Sequence, residues 1–245
     1  GVGTPERIDG SANLDYVILV TTPEEPDFRP RFIDRELAQA ERQGIEPVIL
    51  INKCDLEGSQ DESFLKYVSI WEKLGYKVMK ISAKTGEGMV EFAHFIQNKL
   101  CALVGQSGVG KSSLVNVLDS TVVLKTGSLS KKYGKGSHTT TKGTLLRIKL
   151  NESLTGGIQG AVASIIDTPG VRRFVLHDIE SKDLALYFRE MSPLVGKCNF
   201  GLSCTHINEK GCKILEAVES GQISRERYEN WKKISEEIKT GSWTD

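Results

Sequence analysis

The chain has 245 residues with 32 basic and 32 acidic side chains, so its zero formal net charge by itself indicates no charged partner. A hydrophobic content of 39% is ordinary for a soluble globular protein of one large or two modest domains. No apolar run approaches the roughly 20 residues that cross a bilayer, so we expect no membrane association. The beginning, GVGTPERIDG, lacks both a Met and a signal-peptide pattern, and we expect N-terminal sequence to be missing.

Strands and helices are predicted to alternate through the first half of the sequence. Four apolar, largely β-branched segments are predicted strands: 15–22, 46–52, 76–83 and 100–105. Apolar residues at helical spacing predict helices in four segments: 29–43, 61–74, 87–98 and 111–118. This alternation is typical of α/β proteins, with a mostly parallel sheet and helices on both faces.

A basic loop is predicted at residues 121–143, which carry Gly, Ser, Lys and Thr without periodicity. From Ser120 to Asn151 there are seven Lys or Arg and no Asp or Glu. This segment is either an ordinary solvated loop or a surface for phosphates or RNA.

The remaining elements follow the basic loop. Segments 144–150 and 160–167 predict two strands that form an antiparallel pair. From about residue 184 the pattern becomes helical, interrupted by the Cys/His cluster, and residues 223–239 are predicted to form a charged amphipathic helix.

The segment GQSGVGKS, residues 105–112, follows a predicted strand and matches the phosphate-binding loop G-x-x-x-x-G-K-[ST] at every position. Its glycines let successive backbone N–H groups face phosphates, and the following helix adds its dipole. Lys111 would reach the β and γ phosphates, and Ser112 would ligate Mg²⁺. Nucleotide contacts are expected from eight residues: Gly105, Ser107, Gly108, Val109, Gly110, Lys111, Ser112 and Ser113.

A second motif, INKCD, follows the strand at 46–52 and favours guanine over adenine. Asp55 can accept hydrogen bonds from the guanine N1–H and N2–H₂ groups, which adenine lacks at those positions. Asn52 would brace the loop and meet the base edge, and Lys53 would lie along the ring. The tripeptide Ser82-Ala83-Lys84 follows the next strand, where a loop contacting the guanine O6 is expected; alone it is equally an ordinary turn.

The segment DTPG, residues 167–170, ends the last predicted strand. The Asp167 carboxylate suits an Mg²⁺ ion held through water, and Gly170 offers a backbone N–H to the γ phosphate. Val171 follows, where GTPases of the Ras type place a water-positioning Gln. Because an apolar side chain cannot orient water, either hydrolysis is slow or another residue does this work.

The run GSHTTT, residues 136–141, supplies candidates for that work. His138 could position the attacking water, although a lone loop His is often only exposed. One of Thr139, Thr140 and Thr141 could bind Mg²⁺ and the γ phosphate.

Three of the five cysteines lie within fifteen residues of one another: Cys198, Cys204 and Cys212, with His206 among them. This clustering is typical of metal ligands rather than a disulfide framework, and it fits a reducing cytoplasm. Three thiolates and one imidazole can fill a tetrahedral zinc site, which would stabilise a small helical unit. Buried free cysteines are the alternative.

The order of the nucleotide motifs is a circular permutation of the usual GTPase order. Cutting the usual chain after D-x-x-G and joining its old ends gives the order seen here. Because the site of an α/β sheet is built from loops at the strand carboxyl ends, permutation preserves the site and moves only the termini.

The chain therefore resembles the circularly permuted ribosome-associated GTPases of the RsgA (YjeQ/YloQ) family, from about Ala12 to about Ser242. The matching motifs are GQSGVGKSSL, G-x-H-T-T-T, DTPGV and the Cys-Cys-His-Cys cluster. The resemblance implies a GTP hydrolase with GTP or GDP, Mg²⁺ and Zn²⁺, acting in late maturation of the small ribosomal subunit. It also implies catalytic roles for His138, Lys111 and Thr140. Thr140 would be the switch threonine that ligates Mg²⁺, with Thr141 as the fallback.

The expected organisation is residues 1–11 as a linker or remnant, 12–187 as a circularly permuted GTPase domain and 188–245 as a helical zinc-binding domain. The N-terminal OB-fold barrel of the family is not evident in the sequence. We expect a cytoplasmic monomer that binds the small ribosomal subunit and its rRNA in a nucleotide-dependent way.

Three other functions remain open at this point. The first is a GTP-gated RNA-binding or assembly factor with incidental hydrolysis, which Val171 favours. A permuted GTPase of the large subunit fits the Cys/His cluster less well, and a P-loop kinase fits NKCD less well.

Overall fold

A computed structural model of the chain describes residues 14–124, 144–167 and 179–242. Within these residues one sheet of six strands has the order β3-β2-β1-β4-β6-β5. The strands are β1 (Tyr16–Thr21), β2 (Glu46–Ile51), β3 (Lys77–Lys80), β4 (Leu100–Gly105), β5 (Thr144–Lys149) and β6 (Val162–Asp167). All neighbouring strands are parallel except β5 and β6, which form the predicted antiparallel pair. The predicted α/β class with a mostly parallel sheet is confirmed.

The α-helices of the described residues lie close to the predicted segments. They are α1 (Pro30–Gln43), α2 (Glu62–Lys73), α3 (Met89–Ile96), α4 (Lys111–Leu118), α5 (Lys213–Glu219) and α6 (Arg225–Thr240). Pro30 begins α1, where its missing N–H costs no hydrogen bond, and Gly44 ends it at a φ of 66°. The Ser224 hydroxyl caps α6 by accepting the Arg227 N–H at 3.3 Å. None of these helices is long and apolar enough to cross a membrane.

The central strands are apolar along their whole length because both faces of the sheet are covered. The side chains of β1 and β2 are buried from residues 17 to 20 and 48 to 51. Ile18 and Val20 belong to the same core cluster as Phe92 of α3 and Leu114 of α4. This packing fixes the strand ends, from which the loops of the candidate site leave the sheet.

The residues before α5 contain less regular helix than the sequence pattern predicts. The helical pattern expected from about residue 184 forms only short 3₁₀ turns before α5: Leu184–Tyr187, Ser192–Leu194 and Gly201–Ser203. Pro193 lies at the start of the second turn, and Gly196 then takes a φ of 81°. Proline lacks a backbone donor and left-handed glycine ends a helix, so neither allows a continuous α-helix here.

The contacts divide the chain into two compact units. In the described residues, the first unit contains the sheet with α2, α3 and α4, and the second contains α1 together with residues 179–242. Ala38 of α1 joins an apolar cluster with Leu184, Phe188 and Ile234. This division does not follow the expected boundary between residues 187 and 188, since α1 precedes β2 in the chain but packs with C-terminal residues. The expected domain boundaries themselves stay a prediction.

A buried ionic network holds α1 within the second unit. Arg227 of α6 donates from Nη1 to Asp34 Oδ1 at 2.6 Å and from Nε to Glu190 Oε1 at 2.7 Å. Asn230 Nδ2 donates to the other Asp34 oxygen at 2.6 Å. The side chains of Arg227 and Asp34 are 1% and 0% exposed, so the Asp34 charge depends on Arg227 for compensation, and the Arg227 charge depends on Asp34 and Glu190.

We predict that Asp34→Ala lowers the free energy of unfolding by about 3–5 kcal/mol, because it leaves a buried guanidinium with one partner fewer. Urea denaturation followed by circular dichroism measures this change. The control Glu219→Ala removes an exposed carboxylate from the end of α5 and should change stability by less than about 0.5 kcal/mol. Equal stability of the two variants would contradict the role given to the network.

Candidate nucleotide-binding site and Cys/His cluster

The predicted nucleotide motifs lie at one edge of the sheet. The parallel strands β2, β3 and β4 lead into NKCD, SAK and the phosphate-binding loop, and β6 ends at Asp167, the part of DTPG that the structure describes. From β1 the chain continues to β2 and β3 on one side of the sheet, and from β4 it continues to β5 and β6 on the other side. The strand order therefore reverses between the neighbouring strands β1 and β4. In open α/β sheets, ligands bind outside the strand carboxyl ends at such a reversal point.

The backbone of the phosphate-binding loop requires its glycines. A Cβ on Gly105 would lie 2.5 Å from the Val20 carbonyl oxygen, so this position keeps β4 close to β1. Gly108 and Gly110 have φ values of 89° and 93°, which side chains rarely adopt. A Cβ on Gly110 would also lie 2.4 Å from Asn52 Nδ2, so only glycine fits there.

The Lys111 ammonium already lies within the phosphate-binding loop. Its Nζ donates to the carbonyl oxygens of Gly105 at 2.5 Å and Gln106 at 2.8 Å. Ser112, in the first turn of α4, is 6% exposed, and Gly110 caps that helix in the left-handed conformation. The amides of a curled loop, a helix N-terminus and one ammonium together form an anion site of the kind that binds phosphates.

The other predicted members of this loop differ in exposure. Val109 is 2% exposed and packs in the core, so it contributes backbone groups rather than its side chain. Ser107 is exposed and Ser113 is half-buried on α4.

Asn52 connects the phosphate-binding loop to the two loops beyond β2 and β3. Its Nδ2 donates to the Val109 carbonyl oxygen at 2.9 Å, and its Oδ1 accepts the Ala83 N–H at 3.0 Å. The side chain is 2% exposed, so both hydrogen bonds are protected from water. One amide therefore brings together three loops that are far apart in the sequence.

The Asp55 carboxylate is held by the SAK loop. The buried Ser82 hydroxyl donates to Asp55 Oδ1 at 2.7 Å and accepts the Thr85 N–H at 3.1 Å. Lys84 Nζ lies 3.7 Å from the other carboxylate oxygen. The hydrogen bond from Ser82, and less strongly the Lys84 ammonium, lower the pKa of Asp55 below its usual value. The carboxylate is thereby kept ionised and oriented as a hydrogen-bond acceptor.

The remaining predicted residues of the nucleotide site are placed only in part. Asp167 ends β6, where its Cα pairs with Leu103 of β4, one strand from the phosphate-binding loop. His138, Thr139, Thr140, Thr141 and Gly170 lie outside the described residues, so their roles stay predictions.

The predicted metal ligands Cys198, Cys204, His206 and Cys212 form a compact buried group. Their four ligand atoms all lie within 4.8 Å of one another. Cys198 Sγ is 3.8 Å from Cys212 Sγ, and His206 Nδ1 is 3.6 Å and 3.4 Å from these two sulfurs. Tetrahedral zinc with ordinary bond lengths places sulfurs about 3.8 Å apart and sulfur about 3.6 Å from nitrogen. The residues present therefore fit a zinc ion.

Burial in the cluster disfavours charged thiolates that no cation compensates. Burial raises the pKa of Cys204 to about 12 and also raises that of Cys212. Thiolates at these positions are therefore costly unless a cation compensates them. Burial lowers the pKa of His206, which favours the neutral imidazole that binds metals.

Two further side chains hold the His206 backbone, at a φ of 60°. The buried Tyr228 hydroxyl donates to the His206 carbonyl oxygen at 2.8 Å. The Glu209 carboxylate accepts the N–H groups of Thr205, Ile207 and Asn208 at 2.8, 3.0 and 3.2 Å. These contacts fix the turn that carries the imidazole, as outer partners of metal ligands do.

Comparison with known proteins places the chain in a family. The RsgA GTPase family model matches residues 7–177, which is more than half of the sequence. The chain belongs to the RsgA GTPase family. The structural neighbour YjeQ from Thermotoga maritima has a TM-score of 0.69 and 33% identity, covering 97% of this chain and 77% of that one. YloQ, described as a circularly permuted GTPase, has a TM-score of 0.69 and 27% identity, covering 95% and 71%. The permuted fold expected from the motif order is thus confirmed.

Relatives in the family carry the name small ribosomal subunit biogenesis GTPase RsgA. One from Vibrio vulnificus is 37% identical over 239 residues, covering 96% of this chain and 64% of the relative. One from a Geobacillus species is 41% identical over 229 residues, covering 93% and 74%. The chain thus spans somewhat less than two thirds of the length of the Vibrio relative.

Sequence reasoning missed two parts of the site. It assigned Ser82 to a loop near the guanine O6, whereas its hydroxyl lies against Asp55. It assigned nothing to residues 23–28 and placed Thr22 in the first strand, whereas β1 ends at Thr21 and residues 22–28 follow it at the same edge of the sheet. The available signal was topological: any loop after a parallel strand of this sheet must emerge beside the motifs.

Proposed function

We propose that the chain binds guanine nucleotides with Mg²⁺ and hydrolyses GTP, and that its nucleotide state controls binding to the small ribosomal subunit. The observation that carries the proposal is the pair of hydrogen bonds from Asn52, which join the base-reading and phosphate-binding loops. Family membership supports the same activity.

Base recognition would depend on Asp55. Its lowered pKa keeps the carboxylate ionised at neutral pH, ready to accept two hydrogen bonds from guanine N1–H and N2–H₂. Adenine offers no donors there and would leave a desolvated carboxylate without partners. Lys53 would lie along the base plane, and the Ala83 and Lys84 backbone would face the guanine O6.

Phosphate binding would depend on the loop amides and on Lys111. Its two carbonyl contacts place the Nζ atom beside the curled backbone, from which it can reach the β and γ phosphates. The Ser112 hydroxyl, Thr140 and, through water, Asp167 would hold Mg²⁺, which neutralises charge between the phosphates. Gly170 would offer a backbone N–H to the γ phosphate.

Hydrolysis would be an in-line attack of water on the γ phosphate, with developing charge stabilised by the loop amides and Lys111. Val171 occupies the position of a water-orienting Gln, so this task would fall to His138. An imidazole that titrates near neutral pH can accept and orient a water proton.

The small ribosomal subunit and its rRNA are the proposed partners. Relatives named for small-subunit biogenesis support this assignment, as does the run of seven Lys or Arg without an acid between Ser120 and Asn151. We propose a cytoplasmic monomer. A GTP-gated assembly factor with incidental hydrolysis is the second candidate, which Val171 favours.

The Cys/His cluster is proposed to bind one structural zinc ion. A four-coordinate set of buried protein ligands suits a structural rather than a catalytic zinc site. The ion would link residues 198–206 to Cys212, which directly precedes α5. At this point the Lys213 N–H also donates to Cys198 Sγ at 3.3 Å.

We predict that Asp55→Asn exchanges guanine for xanthine preference. The Asn amide would face the guanine N2–H₂ donors, but it can donate to the C2 carbonyl oxygen of xanthine. GTP affinity should fall by at least about 100-fold while XTP affinity rises. Calorimetric titration with both nucleotides measures this, with Asp61→Asn, an exposed change, as the control. An unchanged GTP preference would remove Asp55 from base recognition.

We predict that isolated small ribosomal subunits accelerate single-turnover GTP hydrolysis by the chain at least tenfold, whereas large subunits do not. His138→Ala should bind GTP normally and lose this acceleration, because general-base or water-orienting groups typically contribute 10²–10⁴-fold. Undiminished turnover in the variant would exclude His138. Hydrolysis insensitive to small subunits, together with GTP-dependent cosedimentation, would favour the assembly-factor alternative.

We predict one zinc ion per chain and a lower melting temperature after chelation. Cys212→Ala should lose zinc and also lose the visible absorption that tetrahedral Co²⁺ gives in the unsubstituted chain. Cys54→Ala, which changes a thiol in the NKCD loop, should retain both. Metal analysis after purification without chelators is the measurement, and equal zinc in the two variants would contradict the assignment.

A further inference from the structure

We propose that the segment Thr22–Phe28, here called the β1 strap, positions Lys53 against the bound nucleotide and thereby sets how slowly guanine nucleotides dissociate. This inference rests on the proposed guanine-nucleotide site. No motif of the sequence covers the strap, and its role follows from its place in the sheet and from its contacts.

The sheet order places the strap in the middle of the site. Strand β1 lies between β4, which leads into the phosphate-binding loop, and β2, which leads into the NKCD loop. A nucleotide that reaches from one loop to the other must cross the end of β1. The strap, which leaves the sheet at that end, is therefore adjacent to the span between base and phosphates.

The strap contacts the NKCD loop at Lys53 and the following 3₁₀ turn, Glu57–Gln60, at Gly58. Lys53 Nζ donates to the Glu25 carbonyl oxygen. The Gly58 N–H donates to Glu24 Oε1 at 2.9 Å, and a Cβ on Gly58 would lie only 3.1 Å from the Glu24 carboxyl carbon. Lys53 itself has a φ of 63°, an uncommon conformation for a side-chain-bearing residue. The Lys53 ammonium is thus held to the strap through the Glu25 carbonyl oxygen.

The strap also contacts the phosphate-binding loop. A Cβ on Gly108 would lie 3.5 Å from Pro26 Cδ, so the proline ring packs directly against this glycine. The Thr22 hydroxyl, almost fully buried, donates to the Pro26 carbonyl oxygen at 3.2 Å and closes the strap on itself. Movement of the strap would therefore change its contacts with both the NKCD loop and the phosphate-binding loop.

An aromatic group anchors the far end of the strap. The Phe28 ring meets Phe64, Tyr67 and Trp71 of α2 edge to face, with centroids 4.9, 5.8 and 6.0 Å away. Such pairs add stability beyond their buried area. Glu24 is then the point at which the strap can be released from the 3₁₀ turn that follows NKCD without disturbing the Phe28 anchor.

The test compares three variants by the rate at which a fluorescent GDP analogue, N-methylanthraniloyl-GDP, is released into excess GDP. Glu24→Ala removes the acceptor for the Gly58 N–H and should speed release about tenfold, the equivalent of ~1.4 kcal/mol. Glu24→Gln keeps an acceptor oxygen and should remain near the unsubstituted rate. Glu57→Ala removes a neighbouring exposed carboxylate and serves as the control.

Two further readouts separate positioning from general loosening. The preference for GDP over ADP should be unchanged in Glu24→Ala, because the Asp55–Ser82 contact is untouched. The melting temperature of the nucleotide-free variant should stay within about two degrees of the unsubstituted chain.

The outcomes are distinguishable. A release rate for Glu24→Ala within twofold of the unsubstituted chain, equal acceleration in Glu24→Gln, or a large drop in melting temperature would each overturn the strap proposal. An unsubstituted chain that does not retain the GDP analogue, or that releases it equally to ADP, would instead overturn the proposed function.

Discussion

The candidate nucleotide site depends on one buried side-chain amide. Asn52 donates to the Val109 carbonyl oxygen of the phosphate-binding loop and accepts the Ala83 N–H of the SAK loop. These two hydrogen bonds hold three chain segments in fixed positions relative to one another. Its closeness to Gly110 leaves no space for a Cβ there. Because the amide is protected from water, losing either partner would leave a buried polar group unsatisfied, at a cost of about 1–3 kcal/mol. The proposed base-reading and phosphate-binding loops would therefore form one site.

Chain order and spatial order are separate properties of this fold. The motifs meet at the carboxyl ends of parallel strands, and this meeting is independent of where the chain begins. The same separation applies to α1, which lies between β1 and β2 in the sequence but belongs to the second unit through Asp34, Arg227 and Asn230. The strap leads from the nucleotide site directly into α1 along the chain.

Much of the fold and site was predictable from local patterns. Apolar runs gave the strands within a few residues, glycine spacing gave the phosphate-binding loop, and Cys/His spacing gave a cluster that the structure brings together. Contacts over long separations were not predictable. The Arg227–Asp34 pair spans 193 positions, and charged residues at such distances look like solvated surface in a sequence. Ser82 against Asp55 and Glu24 against Gly58 were missed for the same reason.

The most direct test of the central claim is amide hydrogen–deuterium exchange of the chain with GDP and with ADP. One guanine-nucleotide site built from separated loops predicts that GDP, and not ADP, slows exchange together in residues 22–28, 52–56, 82–85 and 105–113. Slowed exchange confined to residues 105–113 and equal for both nucleotides would contradict the account, because it would show phosphate binding without the base-reading loops.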